Sequence, residues 1–451
     1  MNYQEFKTAV IAAAKDAGLN DYELYCTESS STSVETVKTE LKTFSTRSSL
    51  GVCFRCIADG HMGYASTQNL TAEEASLLVA HAMENASSIE KEEPAFLHGT
   101  GDQYQTFARA PHEAPSSSAL IDYALSLQSK LLSADPRVLD NSEAACATQT
   151  SFRALCNSKG LDLSEETAFD YAYASAIVSD GSAMYDGMGI GAGTLTELRQ
   201  ESIVRDAVEE AVSSIGYTSI PSGKYSVVFS GRVIASLLSA YASVFSAENA
   251  QKGLSLLAGK EGSEIAAKIV TLTDDPLYPD AVTPCTFDAE GAATYRKNVI
   301  EQGRLTTLLH NLTTAATAGV KTTGNAYKAS YASSVDIRPY SFYLNPGEAS
   351  PEELFAEAEN GITITSVEGL HAGANPISGD FSLSSGGYRI ENGKKAGPIK
   401  NFTVSGNFFT LLKEIDRIGN DLTFQRGVLG SYRCGSPSIL VRNMTVAGKD
   451  A

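Results

Sequence analysis

The sequence predicts an α+β protein with an N-terminal antiparallel sheet carrying helices, a middle α+β segment and a β-rich C-terminal domain. Three observations predict it. In the first half, strand-like alternation and helix-like periodicity occur together, without the βαβ series that builds a parallel sheet. Asp59-Gly60 sits between two alternating runs and is the strongest short hairpin signal in the chain. Beyond Pro221-Ser222-Gly223 the chain is rich in Gly, Ser, Thr and Asn and breaks into many short alternating runs.

The elements follow in order. Phe6, Val10, Ala13 and Ala17 share one helical face, and Gly18 stands where a C-cap belongs. Asp21–Ser29 alternates with Tyr22, Leu24 and Cys26 on one side, and Val34–Phe44 reads as a second strand. Leu50–Ile57 and His61–Thr67 flank the Asp59-Gly60 turn. A helix then opens at the capping box Thr71-Ala72-Glu73-Glu74 and runs to about Ala86, with Leu77, Leu78, Ala82 and Met83 placed to cover the sheet. These elements make a first unit over 1–90. Residues 91–115 form a linker containing Pro94, Gly99, Gly101, Pro111 and Pro115.

The second unit, 116–222, begins with the helix Ser117–Ser133. Two strands joined by Asn157-Ser158-Lys159-Gly160 follow, then a strand-like run Phe169–Val178 and a polar helix Leu195–Ser214. The third unit, 223–451, opens with the strand Tyr225–Phe229 and the apolar helix Val233–Ala247. It continues with a hairpin around Glu301-Gln302-Gly303-Arg304, the helix Pro351–Glu359, and strands at Ile362–Ser366, Phe402–Ser405 and Ile439–Met444.

Composition narrows the function. Of 451 residues, 43% are hydrophobic and 20% charged, which suits roughly two to four folded domains. Thirty-five basic residues against 53 acidic ones give a net charge of −18. Such a surface repels phosphate backbones and anionic lipid, so neither nucleic acid nor membrane is an expected partner. The longest apolar uncharged stretch, Val233–Ala247, is shorter than the about 20 residues that span a bilayer. Seven cysteines, an odd number in a long chain, argue against a secreted disulfide scaffold and for a cytoplasmic protein with reduced thiols.

Several motifs suggest chemistry that their context withdraws. Cys53-Phe54-Arg55-Cys56 has zinc-knuckle spacing, but it lies in a strand, where an offset of three puts the sulfurs on opposite faces. Gly187-Met188-Gly189-Ile190-Gly191-Ala192 matches the dinucleotide fingerprint without the βαβ unit around it, and reads as a glycine-rich connection. The six histidines, His61, His81, His98, His112, His310 and His371, include no pair at i, i+4 spacing. His371-Ala372-Gly373-Ala374-Asn375-Pro376 and Ser378-Gly379-Asp380-Phe381-Ser382 hold Ser, His and Asp, yet within one short loop that reads as a structured turn lining a cleft.

That loop also carries a family likeness. Gly369-Leu370, Ser378–Ser382, Glu391-Asn392-Gly393, Gly406-Asn407, Gly435-Ser436-Pro437 with Leu440-Val441, and Thr445–Gly448 resemble the TldD/PmbA family, whose older label is modulator of DNA gyrase. Asn311–Ala315 and Thr323–Ala326 belong to the same pattern. The resemblance implies a C-terminal domain of the TldD/PmbA type and a role in proteolysis. One branch of the family, TldD, is a zinc metallopeptidase with His-Glu-x-x-x-His on the first helix of its last domain, two imidazoles holding zinc and a carboxylate polarising its water. The matching position here is Ser239-Ala240-Tyr241-Ala242-Ser243-Val244, which has neither ligand nor base. The position of that branch's zinc cysteine falls around Asp421–Thr423, so Cys434 is not its evident equivalent.

The chain therefore resembles the PmbA/TldE branch. That implies no catalytic or metal residue in this chain, with zinc in a TldD-like partner. It also implies a heterodimer, or a homodimer when isolated, enclosing a chamber that admits unfolded or flexible peptides for degradation or maturation. Any route to DNA gyrase would run through proteolysis of a small protein. The candidate cleft residues are His371, Asn375 and Asp380. Two alternatives stand beside this reading. One is a self-sufficient metallopeptidase whose unrecognised metal site would draw on His371, His310 and Cys434. The other is a homodimeric peptide-binding protein.

Overall fold

The computed structural model describes residues 1–89, 95–107, 112–425 and 432–449. The N-terminal half is built on one antiparallel sheet of six strands, in the order β3-β2-β1-β4-β5-β6. In chain order the elements are α1 (Tyr3–Asp16), β1 (Tyr22–Val37), β2 (Glu40–Ala58), β3 (His61–Thr67), α2 (Ala72–Ser87), α3 (Ser117–Ser133), β4 (Glu143–Asn157), β5 (Asp162–Ser179), β6 (Met184–Gly193) and α4 (Gln200–Ser213). Alternation along the strands sends one set of side chains to the helices. Tyr22, Leu24 and Cys26 meet Phe6, Val10 and Leu78 of α1 and α2, while Val34, Ala144 and Cys146 meet Leu120 and Leu127 of α3. Because β1 pairs with β4 from Glu23 to Val37, the expected first and second units share this sheet.

Several local expectations are corrected. Val34–Phe44 is not a strand but a hairpin, turning at Lys38 (φ 53°) and Thr39 (φ 63°). Both residues take the left-handed region without the Asn or Gly that usually marks such a turn, so the sequence carries no sign of it. The Asp59-Gly60 turn is present as expected, with both residues at positive φ. Phe169–Val178 is the second half of β5 and not a separate strand. Leu77 is 43% exposed, and Ala75, Leu78, Val79 and Ala82 form the buried stripe of α2. Pro94 and Pro111 of the linker lie outside the described residues.

The glycine run at 187–192 is a strand, β6, and not a connection. Helix α4 lies directly on it: a Cβ at Gly187 would collide with the Ala207 carbonyl, and one at Gly189 with that of Ile203. The glycines permit close helix–strand approach.

The C-terminal half holds two further six-stranded sheets, each mixing parallel and antiparallel pairs. Its elements are β7 (Gly223–Phe229), α5 (Gly231–Tyr241), α6 (Ala247–Gln251), β8 (Leu272–Asp275), β9 (Lys297–Glu301), β10 (Arg304–Leu305), α7 (Leu312–Ala318), β11 (Ala326–Tyr327), β12 (Asp336–Ile337), β13 (Ser341–Leu344), α8 (Pro351–Ala358), β14 (Gly361–Glu368), α9 (Leu370–Gly373), β15 (Asp380–Glu391), β16 (Lys394–Asn407), α10 (Phe408–Lys413), β17 (Ile415–Ile418), β18 (Thr423–Phe424), β19 (Arg433–Ser436) and β20 (Ile439–Ala447). One sheet runs β16-β15-β14-β7-β20-β17, the other β10-β9-β8-β13-β19-β18. Helix α5 is packed against both, its Val233, Leu237, Leu238 and Tyr241 sharing one core with Phe229, Ile364, Leu383, Leu272 and Phe342. That double packing buries its apolar residues and leaves Arg232, Ser236 and Ser239 partly exposed. The fold class is α+β with a β-rich C-terminal domain, as the sequence predicts.

The face of the N-terminal sheet turned away from its helices meets the C-terminal half. Tyr25, Cys53 and Leu155 pack on Phe287, Ala289 and Ala326. Arg55, 5% exposed, binds Glu23 at 2.7 Å and Glu290 across the junction at 3.4 Å. Cys53 thus faces the junction while Cys56 packs with α1 and α2, the opposite-face placement that period two requires. All seven cysteines are free and buried.

Candidate functional site at the α5 cleft

Strand β7 delivers the chain to α5 through Ser230, and Gly231 starts the helix where a side chain would collide with the Ser436 carbonyl. That close approach seats α5 beside β19. The apolar helix expected over Val233–Ala247 is interrupted: α5 ends at Tyr241, a 3₁₀ turn covers Ala242–Phe245, and Ser246 caps α6. Tyr241 marks the break. It is fully buried, its ring stacks on Phe408 at 4.5 Å, and its hydroxyl donates to the Asp380 carbonyl at 2.7 Å.

The stretch Ser239–Val244, expected from the sequence to match the zinc motif, therefore spans a helix end and a turn, and its polar side opens on a cleft of about 300 Å³. Ser239, Ser243 and Asn249 line one side of it, Asp336 and Arg338 another, and Tyr432 closes it. The Tyr432 hydroxyl lies 3.4 Å from both the carbonyl and the hydroxyl of Ser239, and the Cys434 thiol lies 3.6 Å from Tyr432. Burial pushes the Cys434 thiol up to about 12 and raises the Tyr432 phenol well above its ordinary range, so both stay protonated at neutral pH. At the rim Arg338 donates to Asp336 at 3.3 Å.

These groups can donate and accept hydrogen bonds, but they do not suit zinc, which needs thiolate, imidazole or carboxylate donors. Among the described residues no group of three His, Cys, Asp or Glu side chains is placed to hold a metal ion. His310 is buried, its basicity lowered by that burial, with Nδ1 lacking a hydrogen-bond partner. His371 is exposed on the single turn α9. Neither histidine joins Cys434 in such a group.

The predicted loop is an ordered turn. Asn375 donates its N–H to the Asp380 carbonyl at 2.9 Å, and its side-chain oxygen accepts from the N–H of Ile377 at 3.0 Å. The Asp380 carboxylate accepts from Asn407 Nδ2 at 2.9 Å, and hydrogen bonds from Asn407 and Ser378 hold it below the usual carboxylate range. Asn375 and Asp380 are thus brought together. Among the described residues no hydrogen bond joins His371 to Asp380. The loop is tied to the end of α5 by the Tyr241 hydrogen bond. Sequence reasoning missed Asp336, Arg338 and Tyr432, which come from distant segments without a shared motif.

Comparison with known proteins agrees with this architecture. Residues 222–448 match the PmbA/TldA metallopeptidase C-terminal domain, 22–86 its domain 1 and 110–215 its central domain. A protein of Methanothermobacter thermautotrophicus named metalloprotease is 29% identical over 310 residues, covering 66% of this chain and 68% of its own. Metalloprotease PmbA of Escherichia coli O157:H7 is 22% identical over 81% of this chain and 76% of its own. Among solved structures, a Thermotoga maritima MSB8 protein described as a candidate modulator of a DNA gyrase has a TM-score of 0.88 at 32% identity, covering 99% of this chain and 100% of that one. TldE from Thermococcus kodakarensis shares the fold with a TM-score of 0.88 at 23% identity, over 98% of this chain and 99% of its own. With all three of its domains matched along the sequence, the chain belongs to the PmbA/TldD metallopeptidase family.

Proposed function

We propose that this chain is the PmbA/TldE-like subunit of a TldD/TldE-type metallopeptidase complex, holding unfolded or flexible peptide while a TldD-like partner supplies the zinc. The observation that carries the reading is the chemistry at the motif position. Ser239 and Val244 stand where a zinc-binding branch would place its imidazoles and Ala240 where it would place its carboxylate, and the nearby Cys434 is a protonated, buried thiol. A metal-activated water needs anionic or imidazole donors and a base. This cleft offers hydroxyls, an amide and one Asp336–Arg338 pair, which suit hydrogen bonding to a peptide chain.

Elemental analysis of the chain purified alone, without a metal-binding tag, tests the proposal. The expected result is no stoichiometric zinc and no chelator-sensitive peptidase activity alone, with activity appearing when a TldD-like chain carrying His-Glu-x-x-x-His is added. About one zinc per chain, with activity lost on chelation, would overturn it in favour of a self-sufficient metallopeptidase. Peptide binding by the isolated chain with no response to a TldD-like chain would favour the homodimeric peptide-binding protein.

A further inference from the structure

Lys297 of β9 and Asp274 of β8 stand opposite each other in the antiparallel pairing of these strands, and Lys297 Nζ lies 3.0 Å from Asp274 Oδ2. Their side chains are 5% and 0% exposed, and among the described residues no other lysine–carboxylate pair has both partners so buried. The side-chain nitrogen of Asn325, just before β11, donates to the same Asp274 oxygen at 2.8 Å. An amine, an amide and the carboxylate between them are thus enclosed together. Sharing one acceptor holds the two nitrogens within about 6 Å of each other. The amide carbon is one bond from Nδ2.

Two members of the cluster are fixed and one is mobile. Asn325 is fully buried, and its Nδ2 also donates to the Arg338 carbonyl at 2.9 Å. Asp274 is held through Oδ1, which accepts from the Tyr340 N–H at 2.6 Å. Lys297 reaches the site on a flexible alkyl stem, with Nζ 4.6 Å from the centre of the Tyr295 ring. The electrophile and the proton acceptor are therefore set in place, and the nucleophile can advance towards them, as a covalent step between side chains requires. The unreacted cluster is also costly. It buries a charge pair, and Asn325 Oδ1 is buried without a hydrogen-bond partner.

We propose that these three side chains form an isopeptide cross-link between Lys297 and Asn325. The Lys297 ammonium gives a proton to the Asp274 carboxylate, and the neutral amine attacks Asn325 Cγ. A bond forms between Nζ and Cγ, the Cγ–Nδ2 bond breaks, and Nδ2 departs as ammonia. Of the three ammonium protons, one stays on the new amide nitrogen, one remains on Asp274 and one leaves with Nδ2. No oxidant or co-reactant is needed. The ion pair is replaced by a neutral amide beside a neutral carboxyl group, which removes the buried charges. The cross-link ties β9 to the segment that begins β11. Arg338, a wall of the α5 cleft, donates its N–H to the Asn325 carbonyl at 3.1 Å, so that wall becomes anchored to the β8–β9 pair.

The test is the intact mass of the purified full chain, followed by a tryptic digest. The expected mass is about 17 Da below that of the sequence, the ammonia lost in the cross-link. In the digest, Lys297 should resist cleavage, and its peptide should be joined to the one that holds Asn325. Lys297→Arg and Asp274→Asn should each restore the full mass, the first by removing the nucleophile and the second by removing the proton acceptor. Asn360-Gly361 and Asn392-Gly393 also lose ammonia when such sites close to a succinimide, so the position of the loss in the digest decides between them. The mass and digest of the parent chain stand whether or not the variants fold. A parent chain of full mass, a loss placed at either Asn-Gly site, or a loss that persists in Lys297→Arg each overturns the proposal. Zinc content is unaffected by any of these outcomes, so the subunit reading stands or falls separately.

Discussion

The Tyr241 hydroxyl donates a 2.7 Å hydrogen bond to the backbone carbonyl of Asp380 and so ties the end of α5 to the turn that begins β15. It is a direct link between the stretch Ser239–Val244 and the loop 369–382. Tyr241→Phe keeps the stacking on Phe408 and loses the hydrogen bonds of the hydroxyl. A destabilisation of about 1 kcal/mol is expected in urea unfolding, against about 3–5 kcal/mol for Tyr241→Ala, which also empties a fully buried site. Equal values for the two variants would show that packing contributes nothing at this position.

Gly189→Ala separates the two readings of the glycine run. A methyl group there meets the Ile203 carbonyl of α4, so thermal unfolding should report a loss of about 1–3 kcal/mol. A phosphate-binding glycine would instead leave stability nearly unchanged and alter nucleotide binding.

Arg55 bridges the two halves by serving Glu23 and Glu290 together. Arg55→Ala leaves two buried carboxylates without their partner, and a loss of about 3–5 kcal/mol is expected in chemical denaturation. If the variant proves as stable as the parent, the ion network is not what holds the junction.

Burial, and then the neighbouring Glu290, raise the Asp288 carboxyl to about 7, even though Glu290, Ala292 and Ala326 donate backbone N–H groups to it. A carboxyl with a raised folded pKa holds its proton where the unfolded chain has lost it. Its stabilising contribution is full below about pH 4 and is lost as pH rises through about 7. The unfolding free energy measured in urea should therefore fall between about pH 5 and about pH 8, by an amount on the order of 1–3 kcal/mol. Asp288→Asn should flatten that slope whatever it does to the absolute stability. An unchanged slope would assign the proton to another group.

The sequence by itself determined the local elements, because periodicity depends on neighbours two to four residues apart. The helix Ser117–Ser133, the Asp59-Gly60 turn and the opposite-facing Cys53 and Cys56 all follow from spacing alone. The family pattern in the last half was legible for the same reason, being carried by short runs of residues.

Only the tertiary structure decided what those runs meet. The Lys38-Thr39 turn depends on the β1–β2 pairing, since neither residue favours positive φ. The break at Tyr241 depends on Phe408 and the Asp380 carbonyl, both far along the chain. The α5 cleft draws on Ser239, Asp336 and Tyr432. Side chains brought together by packing across such separations leave no regular spacing in the sequence, so the cleft emerges only when the sheets close around α5.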